Sequence, residues 1–131
     1  MQITSVAVFV KDNKLLFEKR REGEDNYASL LALPGGHKRK SESSKKALKR
    51  EIREELKVSI TEAEYIGMFK DKDPTSKDVF HHHAFLIKEY KGKIKKTTEQ
   101  EAVKWIDLNK IKKLKNINKV DIKILKKAKL I

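Results

Sequence analysis

Cysteine is absent from this chain of 131 residues, which excludes disulfides, thiolate metal sites and cysteine nucleophiles together. No apolar run approaches the roughly 20 residues needed to span a bilayer. Nor does the N-terminus carry a basic leader followed by a long apolar stretch. The sequence therefore reads as a soluble, cytoplasmic protein with no membrane partner. Acid is scarce relative to base, with 19 Asp and Glu against 32 Lys and Arg and a formal net charge of +13. That excess suits an anionic partner such as a nucleotide, RNA or DNA. The lysines are spread along the chain and form no single block, so a charged surface reflecting genome composition or heat adaptation accounts for them equally well. The length fits one domain, residues 1–131, with a modest core.

What is present has a regular order. The stretch Ile3–Val10 is rich in β-formers, meets a turn signal at Lys11-Asp12-Asn13, and is followed by Lys14-Leu15-Leu16-Phe17-Glu18, which together predict a hairpin. Glu18, on that strand, reads as a bystander charge. A polar loop around Glu22–Asn26 leads to the short apolar run Leu30–Leu33, and Pro34-Gly35-Gly36 then breaks the chain. A helix is expected from Ser43 to Leu56, capped by Ser41 or Ser43. Ala63–Phe69 and Val79–Ile87 read as strands separated by a polar loop containing Pro74. After a turn at Lys91-Gly92-Lys93 come a strand at Val103–Ile106 and a short helix at Asp107–Leu114. A last helix spans Asn118–Lys129, with Val120, Ile124, Leu125 and Ala128 at helical spacing. Strands interleaved with two main helices predict a mixed sheet covered by helices on both faces.

The most informative helix is the first. Glu51, Glu54 and Glu55 stand at i, i+3 and i+4 and share one face. At about 100° per residue, Glu51 and Glu55 project toward Ala47, Leu48 and Ile52, while Lys46, Lys49, Arg50, Arg53 and Lys57 project to the other side. Acids crowded beside a core are costly unless a cation holds them together. Carboxylates with no His or Cys among them suit Mg²⁺ or Mn²⁺. The plainer reading is a surface helix laced with pairs such as Arg50–Glu54.

The spacing goes further than the helix. Gly36, Glu42 six residues on, Arg50 eight further, then Glu51, Ile52, Glu54, Glu55 and Val58 resemble the signature of the Nudix hydrolases, of the MutT-like type. Lys57 stands where that family has a glycine. Lys38, Arg39 and Lys40 occupy a loop where relatives commonly carry acids. The resemblance extends to the opening hairpin, to Leu33-Pro34-Gly35-Gly36 and to Glu101–Leu108. It implies an α/β fold, an α/β/α sandwich with a mixed central sheet. It also implies a Mg²⁺- or Mn²⁺-dependent hydrolase cleaving the diphosphate linkage of nucleoside di- or triphosphate derivatives, oxidised triphosphates among them.

Carried onto matching positions, the resemblance makes Glu51, Glu54 and Glu55 metal ligands, with the Gly35 carbonyl as a further one. Gly35, Gly36 and Glu42 would frame the cofactor site, and Arg50 would orient a glutamate. The general base would be a signature glutamate or a later acid, Glu99 or Glu101. Two other enzymatic readings remain, an ADP-ribose pyrophosphatase and a hydrolase of RNA 5′-end diphosphate. The non-enzymatic reading is a nucleotide-binding module on the same fold. Either a monomer or a homodimer fits. His81, His82 and His83 alternate faces if they lie in a strand, which argues against a shared zinc ion. Trp105, Phe69 and Phe85 read as core aromatics.

Overall fold

The computed structural model describes residues 1–20, 31–73, 76–97 and 100–131, without the side chains of Arg20 and Glu101. Its strands are β1 (Gln2–Val8), β2 (Val10–Lys11), β3 (Lys14–Arg20), β4 (Leu31–Ala32), β5 (Gly35–His37), β6 (Ser59–Lys72), β7 (Val79–Lys91) and β8 (Gln100–Asp107). Its helices are α1 (Ser44–Leu56), α2 (Leu108–Ile111) and α3 (Lys119–Lys127). The expected α/β architecture with a mixed sheet is present, and the strands divide between two sheets. The first has the order β5-β1-β7-β6, with β1 parallel to β7 and antiparallel to β5, and β6 antiparallel to β7. In the second, β3 pairs with β2, β4 and β8, all antiparallel.

This division alters the expected opening hairpin. Only Val10–Lys11 and Lys14–Leu15 pair across the turn. Asp12 and Asn13 both adopt left-handed backbone there, φ 51° and 62°, a conformation that short polar side chains tolerate best. The rest of Ile3–Val10 belongs to the first sheet, because the chain changes sheets at Phe9, whose carbonyl accepts from the Leu16 amide at 3.2 Å. β1 and β3 are near-continuous apolar runs because both of their faces are covered. Ala7, Phe9 and Leu16 join Leu48, Ile52 and Leu56 of α1 together with Phe85 and Ile87. Val6, Val8, Leu15 and Phe17 pack with Ile111, Ile124 and Leu125 of α2 and α3. Helices thus lie on both faces of the first sheet.

Element ends differ from the sequence reading where tertiary contacts decide them. Ser43, not Ser41, caps α1, accepting from the Lys46 amide at 3.1 Å. α2 is cut to a single turn, and α3 starts after an Asn118 cap and ends at Lys127. β6 and β7 run to 14 and 13 residues because they pair along their whole length, with register irregularities near Ile60, Glu62 and Gly67. β8 begins at Gln100, earlier than the expected Val103, through its pairing with β3. Among the described residues no helix is long and apolar enough to cross a membrane. The Glu22–Asn26 loop, Pro74 and Glu99 lie outside the described residues.

Candidate active site around the acidic helix

The turn that feeds α1 is built by two glycines. A Cβ on Gly35 would collide with the Ser5 carbonyl of β1, and one on Gly36 would occupy the space taken by the Glu51 carboxylate. Side-chain-free backbone at both positions therefore lets β5 press onto β1 while an acid of α1 folds over it. The turn is pinned by the Ala7 amide on the Pro34 carbonyl (2.8 Å) and by the Lys38 amide on the Ile3 carbonyl (2.9 Å). The Leu33 amide donates to the buried Asp121 of α3 at 3.2 Å, and Ser5 donates its hydroxyl to the Ser44 carbonyl at 2.7 Å.

Arg50 organises the acids. Its Nε donates to Glu42 Oε2 at 2.6 Å and its Nη2 to Glu42 Oε1 at 2.8 Å, a bidentate clamp. Nη2 also reaches the His37 carbonyl at 2.9 Å. Nη1 donates to Glu51 Oε1 at 2.9 Å, with a longer contact of 3.4 Å to the exposed Glu54. Glu42 Oε1 further accepts the Arg39 amide at 2.8 Å. These charge-assisted bonds hold the Glu42 carboxyl down at about 2, chiefly through the Arg50 hydrogen bond, and raise the Arg50 guanidinium in return. Helical geometry places Arg50 beside Glu54, one turn on, but directs it away from Glu51 and Glu55. Its long side chain instead folds back onto Glu51, which a planar five-donor group can do and a projection of Cβ directions does not capture.

Gly35, Gly36, Glu42, Arg50, Glu51 and Glu54 are thus brought together at the turn and α1. Glu55, in the last turn of α1, is half-buried with its Oε2 shut off from solvent. Among the described residues no three acids or histidines converge as a ready-made cation cage, and the guanidinium stands among the acids. The donor set still fits a hard divalent cation: all carboxylate, no His or Cys, with the space left by Gly36 holding one carboxylate in place. Glu101 falls on β8, which carries it beside β3.

The structure also assembles groups that sequence reasoning passed over. Glu18 is not a bystander: it is 8% exposed, and its Oε2 accepts from Gln100 Nε2 at 2.7 Å. Strand alternation carried the signal, since Leu16 faces the α1 side of the core and Glu18, two residues on, faces the same way. The histidine run alternates between faces. His82 shares a 2.6 Å hydrogen bond with Thr4, stacks on Phe80 and lies 3.7 Å from Asp71, too far for a second hydrogen bond. Burial pushes its pKa down. His83 is hydrogen-bonded to the Tyr65 hydroxyl at 2.7 Å. Phe85 lies in the core on the α1 side with Trp105 packed against that core, and Phe69 packs against the core on the α2 and α3 side.

Similarities to known proteins bear on this arrangement. Over 99 residues the chain is 31% identical to the CTP pyrophosphohydrolase of Escherichia coli, spanning 76% of this chain and 70% of that one. It is 27% identical over 107 residues to the ADP-ribose pyrophosphatase of Methanocaldococcus jannaschii, spanning 82% and 62%. The fold superposes on the MutT NUDIX hydrolase of Burkholderia pseudomallei with a TM-score of 0.86 at 22% identity, covering 96% of each chain. The NUDIX domain family matches residues 1–128, from the first strand through the glycine turn, the acidic helix and α3, and the chain belongs to that family.

Proposed function

We propose that this protein is a Mg²⁺- or Mn²⁺-dependent cytoplasmic pyrophosphohydrolase that cleaves the diphosphate linkage of nucleoside triphosphates or related nucleoside diphosphate derivatives. The observation that carries the reading is the Arg50-centred cluster, in which Glu42, Glu51 and Glu54 are gathered against a turn that only glycine can form. Likeness to the CTP pyrophosphohydrolase supports a triphosphate substrate. Likeness to the ADP-ribose pyrophosphatase supports the second reading, hydrolysis of ADP-ribose.

In this mechanism Glu51, Glu54 and Glu55 would hold the divalent ion together with the Gly35 carbonyl. A divalent ion held by these groups would supply charge neutralisation for the phosphoryl oxygens and a more acidic water. Arg50 keeps the Glu51 carboxylate oriented through its 2.9 Å bond and is itself aimed by Glu42. Glu99 or Glu101 takes the proton of the attacking water, unless an acid of α1 does so. Water adds to one phosphorus of the diphosphate, the bridging P–O bond breaks, and a triphosphate leaves as nucleoside monophosphate and diphosphate.

Turnover is therefore expected to need added Mg²⁺ or Mn²⁺ and to stop with a chelator. Release of nucleoside diphosphate and orthophosphate alone would overturn the assigned bond. Glu54→Gln and Glu55→Gln should each lower kcat by roughly a hundredfold or more, while Glu64→Gln, an exposed β6 acid paired with Lys88, should leave it unchanged. Near-normal turnover and metal binding in both α1 variants would reduce these acids to a solvated helix face.

A further inference from the structure

α1 ends in a way that leaves its acids poorly supported by the helix itself. Glu54 and Glu55 lie in the final turn, where backbone carbonyls lose their intrahelical partners and the helix dipole disfavours negative charge. The Arg53 carbonyl still receives the helix's own capping amide, from Lys57 (3.2 Å), whereas the Leu56 carbonyl is taken up from outside by the Lys95 amide (3.0 Å). The Glu55 carbonyl accepts from Gln100 Nε2 at 3.0 Å. Gln100 is 3% exposed, and its hydrogen-bonding capacity is used in full. Nε2 also donates to Glu18 at 2.7 Å, while Oε1 accepts the Thr97 amide at 3.0 Å and the Thr97 hydroxyl at 3.1 Å. A carboxylate and a carbonyl can only accept and a backbone amide can only donate, so the Gln100 amide is locked in one orientation.

We propose that Gln100 is a positioning residue for the reaction, fixing Glu55 through its main-chain carbonyl, and that the buried Glu18 carboxylate sets the direction of the Gln100 amide. This rests on the proposed role of Glu55 as a ligand. One amide then ties together the last turn of the acidic helix, strand β3 and the start of β8, the strand of the candidate base Glu101. A helix end that frayed by a fraction of a turn would carry Glu55 with it, and loss of such supporting contacts typically costs about 10- to 100-fold in metal affinity or activity.

A charge swap separates the two halves of the proposal. Gln100→Glu alone sets two buried carboxylates together and should lower the unfolding midpoint, Mn²⁺ affinity and kcat alike. Adding Glu18→Gln restores a donor to the introduced carboxylate, and Thr97 can still donate, so folding should recover. The Glu55 carbonyl, however, then faces an acceptor in place of an amide N–H. The double variant should therefore recover most of the unfolding midpoint lost in Gln100→Glu, short of the parent because the Glu55 carbonyl has lost its donor, and keep KM, with Mn²⁺ affinity and kcat down about tenfold or more. Gln100→Leu should show the same loss of Mn²⁺ affinity and kcat.

Mn²⁺ binding is read by electron paramagnetic resonance on nucleotide-free protein, and kcat and KM with Mg²⁺ and CTP. Parental Mn²⁺ affinity in the double variant or in Gln100→Leu would overturn the Glu55 link, and a double variant no more stable than Gln100→Glu would overturn the Glu18 pairing. If the parent protein binds Mn²⁺ but hydrolyses no triphosphate, the proposed reaction fails, while the Mn²⁺ comparison still decides the role of Gln100.

Discussion

Lys57 shows how one residue can keep a backbone geometry without the side chain that suits it. It ends α1 at φ 63°, ψ 27° and donates its amide to Arg53, the left-handed conformation that the glycine of the resembled signature takes without strain. The departure at this position thus leaves the path of the chain intact and costs only conformational energy, about 1–2 kcal/mol for an L-residue in this region. Lys57→Gly should accordingly raise stability by roughly 1 kcal/mol, seen as a higher urea midpoint at unchanged slope. A lower midpoint would mean that the exposed lysine stem contributes more than its backbone costs.

At the scale of elements, the junction between β5 and α1 is a clamp held by the Arg50–Glu42 pair. Glu42 has its carboxyl held at about 2 against an ordinary 4.5. Because the folded value is the lower one, the stability it supplies is present above about 4.5 and is lost as pH falls from there toward 2. Glu42→Gln should therefore lose midpoint stability near neutral pH and show a shallower fall than the parent between pH 4.5 and 2, measured by thermal unfolding across that range. Parallel curves for the two proteins would remove Glu42 from the acid response. The clamp should also depend on fork geometry: Arg50→Lys keeps the charge but cannot span both Glu42 oxygens and Glu51 at once.

Across the whole molecule, the formal charge of +13 bears on the choice between free nucleotides and RNA 5′ ends. A small-molecule enzyme should hydrolyse free triphosphates in preference to 5′-triphosphorylated RNA, with modest dependence on salt. Strong preference for RNA, collapsing between about 50 and 200 mM salt, would reassign the substrate, because each phosphate contact adds to the salt slope. Competition assays with the two substrates at fixed Mg²⁺ read this directly.

Periodicity located α1 and the shared face of Glu51, Glu54 and Glu55, because helical spacing is a local property of the chain, while the choice of Ser43 over Ser41 as its cap came only with the structure. Strand alternation likewise separated His82 from His81 and His83. The division of strands into two sheets was beyond it, since pairing β3 with β8 joins Lys14 to Asp107 and Arg20 to Gln100, and no local pattern encodes that choice. The same holds for the polar groups. Arg50 was legible as a cation on the helix, but its grip on Glu42, Glu51 and the His37 carbonyl depends on a side chain reaching across a turn. Glu18 and Gln100 looked unremarkable in sequence. They meet because the sheet brings them into one buried site, where an unpaired carboxylate or amide would be costly and each must find the other.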